Sequence, residues 1–150
     1  MGEKRFEIDL AYCMTRYTCR VCKYEKLCSA TTKKEIKLVI NEIPPTINKY
    51  IGRSNIWEYQ KDKKDFQRVA KLMTLKDKPK KPIEKCNIKI VYYFKDKRIR
   101  DPGNFDKFVL DFLVEAGFIV DDNYFLINEF TTSGRVDKDN PRIEIEIKEI

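Results

Sequence analysis

The stretch RIRDPGNFDKFVLDFLVEAGFIVDD, residues 98–122, decides how this chain is read. From Asn104 to Ala116 the apolar residues are Phe105, Phe108, Val109, Phe112, Leu113 and Ala116. Their spacing traces one continuous helical face. Gly117 is the expected stop, Pro102 suits a first helical turn, and Asp101 suits the N-cap. Asn104, Lys107 and Asp111 fall on a separate polar stripe of the same helix. Arg98 and Arg100 come just before the helix, and the acidic pair Asp121–Asp122 follows it. Carboxylates at both ends of a short helix are expected to fold back onto a shared point. Oxygen-only ligands of that kind suit a hard divalent ion such as Mg2+, held by Asp101, Asp121 and Asp122.

Outward from this block the pattern is regular. Ile36, Leu38 and Ile40 alternate with polar residues as a half-buried strand ending at Pro44-Pro45. The loop IPPTINKYIG follows, with Asn48, Lys49 and Arg53 available to phosphates. Residues 56–75 read as an amphipathic helix with Trp57, Phe66, Val69, Ala70, Leu72 and Met73 as its apolar positions. Residues 76–85, KDKPKKPIEK, read as a Lys/Pro linker. Residues 86–94 form a strand, opened by a lone Cys86 expected in the core. A short strand runs from Phe125 to Thr131, Ser133-Gly134 and Asp139-Asn140-Pro141 mark turns, and Ile143, Ile145 and Ile147 give a last strand. The order strand, helix, strand, helix, strand, strand predicts an α/β domain with a small mixed β-sheet packed with helices.

Residues 1–34 differ from the rest. Cys13, Cys19, Cys22 and Cys28 are spaced C-x5-C-x2-C-x5-C, a pattern that suits a closed Zn2+ site. An iron–sulfur cluster is the competing ligand, and unligated or disulfide-bonded cysteines the plain structural alternative. The domains expected are therefore a cysteine-rich zinc-binding element at 1–34 and a main domain at 35–150. With no histidine in the chain, Ser-His-Asp and Cys-His nucleophiles and histidine-ligated zinc are excluded. No apolar run approaches the roughly 18 residues of a membrane helix, and MGEKRFEIDLAY lacks a secretory core. A cytoplasmic protein is expected, with no membrane partner. Net charge is +7, but residues 60–100 hold 15 Lys/Arg against 5 Asp/Glu, while residues 101–150 hold 5 against 12. A basic half beside an acidic half suits an enzyme that grips nucleic-acid phosphates and carries a metal.

The block RIRDPGNFDKFVLDFLVEAGFIVDD resembles the signature of the RusA family of Holliday-junction resolvases: a basic run, D-x-D-N, a helical Lys, an Asp, then Gly and a DD pair. IPPTINKY resembles that family's PPSxN-type loop, and the likeness covers about residues 35–150. It implies a RusA-like fold and a homodimeric, Mg2+-dependent endonuclease that makes paired cuts in four-way DNA junctions during recombination and repair. Such proteins are often carried by phages, so a bacterial or phage-encoded, nucleoid-associated protein is implied. By position Asp101 matches the first motif Asp, Asn104 the motif Asn, Lys107 the helical Lys, and Asp122 the later catalytic Asp, with Asp121 beside it. The chain departs at Gly103, where the motif has its second Asp. Asp106, three positions and nearly a turn further on, or Asp111, is the available substitute.

The expected chemistry is metal-assisted phosphodiester hydrolysis. Asp101, Asp122 and Lys107 are the catalytic candidates. Asn48, Lys49, Arg98, Arg100, Asn104 and the 76–85 lysines are the candidate DNA contacts. Two rivals are a junction-binding protein whose nuclease is impaired at Gly103, and a zinc-containing regulator that recognises its partner through the cysteine element.

Overall fold

The structure, a computed structural model, describes residues 34–52 and 56–150. Cys13, Cys19, Cys22 and Cys28, with the expected zinc element, lie outside the described residues, as does Arg53. Residues 34–150 make one compact unit. Its elements are β1 (Glu35–Ile40), α1 (Ile56–Thr74), β2 (Cys86–Phe94), α2 (Gly103–Glu115), β3 (Ile127–Val136) and β4 (Arg142–Glu149). Single 3-10 turns cover Ile47–Lys49 and Leu75–Asp77.

The four strands form one mixed sheet in the order β1-β4-β2-β3. β4 pairs antiparallel with both β1 and β2, so Ile145 stands between Leu38 and Ile90. β2 and β3 pair in parallel. A parallel neighbour requires a crossover, which α2 supplies. Period-two alternation sends Ile36, Leu38, Ile40, Ile88, Ile90, Tyr92, Ile143, Ile145 and Ile147 to one buried face. The helices meet them there: Phe66 and Ala70 from α1, and Phe105, Phe108, Val109, Phe112 and Leu113 from α2, belong to the same core. Phe108 is the hub, with ring centroids 6.1 Å from Tyr50, 5.5 Å from Tyr59 and 6.5 Å from Phe66.

α2 ends as its sequence requires. Gly117 takes φ +80°, the Gly117 N–H donates to Val114 O at 3.1 Å, and the Phe118 N–H donates to Leu113 O at 2.9 Å. That is a Schellman stop. The chain then runs beside Ile83, whose N–H donates to Phe118 O and whose carbonyl accepts from Val120 N–H. The 76–85 linker is thus pinned at Ile83 rather than free along its whole length.

Two sequence expectations are corrected. Ser133-Gly134 is not a turn but the interior of β3, opposite Val91 and Tyr92. A Cβ at Gly134 would lie 3.2 Å from Phe94 Cε2 and 3.3 Å from Pro102 Cγ, so glycine here permits close approach rather than chain reversal. In α1, Trp57, Leu72 and Met73 are exposed, and the buried stripe is Phe66, Gln67, Ala70 and Thr74. Thr74 fits that stripe because its hydroxyl donates to Ala70 O at 2.7 Å.

Two outcomes follow. Phe108→Ala should lower unfolding free energy by about 3–5 kcal/mol in urea titrations, because its ring is fully buried among aromatic neighbours. The buried Cys86 thiol, pushed up to about 11 by desolvation, should resist iodoacetamide at pH 8 until denaturant is added. Peptide mapping reads this directly, and rapid native modification of Cys86 would contradict the packing.

Candidate functional site

The first turn of α2 holds two carboxylates. Pro102 already has helical torsions (φ −55°, ψ −36°), so Asp101 acts as the cap. Its Oδ1 accepts the Gly103 N–H at 3.0 Å, and its carbonyl accepts the Asn104 N–H at 3.2 Å. The rest of the Asp101 side chain faces solvent. Asp106 is the opposite case, with only 8% of its surface exposed. Its Oδ1 accepts hydrogen bonds from Tyr92 Oη at 2.8 Å and Thr132 Oγ1 at 3.0 Å. Burial lifts the Asp106 carboxyl above the ordinary carboxylate range against the pull of those two hydroxyls, and the negative charge of Asp101 lifts it further.

Gly103 lies between them. A Cβ built there would stand 3.3 Å from Asp101 Oδ1 and 3.9 Å from Asp106 Oδ2. Two carboxylate oxygens therefore border one small space that any larger residue would enter. Among the described residues, no lysine or arginine forms an ion pair with either carboxylate. Hard oxygen donors, uncompensated negative charge and a cleared cradle suit a magnesium-like cation.

The basic candidates divide into bound and free. Arg100 is clamped by Asp96 through two hydrogen bonds, 2.5 Å and 3.1 Å long, and lies over the Phe94 ring. The Arg100 guanidinium in turn holds the Asp96 carboxyl down at about 2. Lys49 sits 2.7 Å from Asp62 and 2.9 Å from Glu58, an arrangement that ties the 3-10 turn to α1 and raises the Lys49 pKa. Arg98 has a side chain 82% exposed, at 3.8 Å from Asp96. Asn48 is exposed and Asn104 half-buried. Lys107 is exposed, and its ammonium lies 3.5 Å from Asp111. Asp111 also takes Lys63 of α1 at 2.8 Å, so it is an inter-helix anchor rather than a neighbour of Asp101.

Asp121 and Asp122 stand elsewhere. Asp121 caps its own turn, accepting the Asp122 N–H at 2.8 Å and the Asn123 amide at 2.7 Å, bonds that lower its pKa. Asp122 is exposed. α2 starts beside Phe94 and Gly134 and ends beside Ile83, so Asp101 and the acidic pair lie at opposite ends of the β2–β3 ladder. Thirteen helical residues, about 20 Å at 1.5 Å each, run between them. Among the described residues no three His, Cys, Asp or Glu side chains gather as a metal-binding group. The expected folding back of Asp121 and Asp122 onto Asp101 within one chain is corrected accordingly: α2 and the segment beside Ile83 carry the chain from one end of the ladder to the other.

Three residues of the site escaped the sequence reading. Tyr92 carried a usable signal, since a tyrosine at a core-facing strand position needs an acceptor for its hydroxyl. Thr132 was hidden by the turn expected next to it, and Asp96 by the charge run around it.

Comparison with known proteins gives two findings. The family model described as Endodeoxyribonuclease RusA matches residues 42–148. Over 87 residues the chain is 34% identical to the crossover junction endodeoxyribonuclease RusA of Enterobacteria phage HK97, covering 55% of this chain and 70% of that protein.

The raised carboxyl of Asp106 sets a pH dependence. The native state keeps that proton above the ordinary value of 3.8, so it binds more protons than the unfolded chain from there up to its own higher value. Stability falls as pH rises through that window. Asp106→Asn keeps an acceptor for both hydroxyls and lacks the loss. Urea melts in chelator from pH 4 to 7 should show wild type losing stability relative to Asp106→Asn; a pH-independent difference would refute the charge assignment.

Proposed function

The chain belongs to the RusA endodeoxyribonuclease family, and from that membership we propose that it is a Mg2+-dependent endonuclease that resolves four-way DNA junctions in recombination and repair. The observation that carries this reading is the extent of the family match. It runs from 42 to 148 and takes in Asp101, Lys107, Asp121 and Asp122 together. The phage relative is itself a crossover junction endodeoxyribonuclease. A cytoplasmic, phage- or bacterium-encoded, nucleoid-associated protein is part of the same proposal. Among the described residues no helix is long and apolar enough to cross a membrane.

Asp101, Asp121 and Asp122 are the proposed Mg2+ ligands. Bound Mg2+ supplies charge neutralisation at the scissile phosphate and a more acidic water. Lys107, exposed on α2 within one turn of Asp106, stabilises negative charge growing on the phosphate oxygens. Asn48, Arg98, Asn104 and the exposed lysines Lys76, Lys80 and Lys81 contact DNA backbone without reading bases. Lys49 and Arg100 act one step back, ordering the loop and the approach to α2 through their acidic partners.

A homodimer is proposed because one chain keeps Asp101 and Asp122 apart. In a pair whose two-fold axis runs perpendicular to the strands, equivalent surfaces run antiparallel past each other, and Asp122 of a second copy would face the Asp101 end of the first. Among the described residues β3 is an edge strand, with Phe130 and Val136 partly exposed. Two related sites also suit a junction whose strands are related by symmetry.

Wild type with Mg2+ should cut a synthetic four-way junction in symmetric pairs. Asp101→Asn or Asp122→Asn alone should reduce cutting by on the order of a hundredfold or more. Mixing the two inactive variants should restore nicking, since one of the two shared sites then holds both native carboxylates. No restoration would place both groups in one copy's site and remove the shared-site model. Binding without cleavage by wild type in Mg2+ or Mn2+ would favour the impaired junction binder that Gly103 suggests.

A further inference from the structure

We infer that Asp106 is a metal ligand of this chain, supplying from one helical turn further on the carboxylate that Gly103 lacks. The inference rests on the metal-dependent reading above and adds a residue to it. Positions 103 and 106 share a helix face, so a carboxylate at either can address the same space. Asp106 does so from below, because Tyr92 and Thr132 both bond Oδ1 and leave Oδ2 on the Gly103 side. No hydrogen bond to Oδ2 occurs among the described residues, although Asp106 is more than nine-tenths buried.

A buried carboxylate without a cation is costly, and among the described residues no lysine or arginine pairs with Asp106. Arg100 is clamped by Asp96 and Lys63 by Asp111, and the exposed Arg98 and Lys107 make no ion pair with Asp106. Asp101 Oδ1 borders the same space as Asp106 Oδ2, and Asp101, being exposed, has the freedom to close on an ion. Asp106 has no such freedom. It sets where the ion sits, and Asp101 adapts.

The test is Mn2+ binding to the full chain, read from the paramagnetic resonance signal of the free ion. Wild type should bind, and Asp106→Asn should bind at least about tenfold more weakly, the least that loss of even an outer-shell partner costs. Restoring a carboxylate at the motif position, in the double variant Gly103→Asp/Asp106→Asn, should recover most of the lost affinity. Native-like affinity in Asp106→Asn, with Asp101→Asn weakened, would overturn this assignment and leave the metal-dependent reading intact. Absence of Mn2+ binding by wild type would remove both. Should Asp106→Asn fail to fold, anomalous scattering from Mn2+-soaked wild-type crystals decides: the inference requires an ion in bonding contact with Asp106 Oδ2, and an ion on Asp101 alone refutes it.

Discussion

The apolar face of α2 pressed against the sheet is the constraint from which the rest follows. Phe105, Phe108, Val109, Phe112 and Leu113 are all buried, and each fully buried side chain of this size contributes roughly 1.5–3 kcal/mol. That burial fixes the rotation of the helix about its axis, and rotation decides the fate of every polar residue on it. Asp106, next to Phe105, is carried under the helix to Tyr92 and Thr132. Asp111 is held at the flank where Lys63 of α1 reaches it, and Lys107 is turned out to solvent. Rotation by one residue would exchange these environments and expose the phenylalanines. The same packing fixes the helix lengthwise, between Gly134 at one end and Ile83 at the other, and so sets Asp101 apart from Asp121 and Asp122.

Charge pairing around this helix is uneven, and the unevenness is informative. Asp96 takes Arg100, Asp111 takes Lys63, Asp62 takes Lys49, and Asp137 takes Arg142. Each pair joins or orders segments that the backbone ladder alone leaves loose. Among the described residues, Asp101 and Asp106 have only the partial positive charge of the α2 N-terminus and a few dipoles. For an exposed Asp101 that is ordinary capping. For Asp106, only 8% exposed, it is insufficient, and the carboxyl responds by holding its proton more tightly. A chain with 31 Lys and Arg has no shortage of cations. Among the described residues none of them pairs with either carboxylate, which is a property of how the fold distributes them.

Much of this was legible in the sequence because it depends on local periodicity. The α2 stripe, the Gly117 stop, the Ile143–Ile147 alternation and the Pro102 start are each set within a few residues, and each stands where expected. What was not legible depends on distant segments. Gly134 looked like a turn because glycine beside serine usually marks one; its true role is set by Phe94 and Pro102, remote in sequence. Trp57 and Leu72 looked like core because they are large and apolar, yet the orientation of α1 is set by Phe66 and Ala70 against Phe108 and Phe112. The basic run has the composition of a free phosphate grip, whereas Asp96 within it claims Arg100. The convergence of Asp101 with Asp122 failed for a geometric reason, since a parallel β-α-β unit sends its helix back along the full length of the strands.

That geometry also bears on why a second copy belongs in the proposed reading. A parallel crossover puts the residue before its helix and the residue after it at opposite ends of a layer, whatever their identity. A motif with acidic residues at both points cannot close on one ion inside such a unit without breaking the helix between them. Two copies related by a two-fold axis perpendicular to the strands would remove the difficulty, because such an axis exchanges the ends. Each shared site would take Asp101 and Asp106 from one copy and the acidic pair from the other. Carboxylates that one fold must hold apart would then meet only on assembly, and the ion they share would bind only to the assembled form.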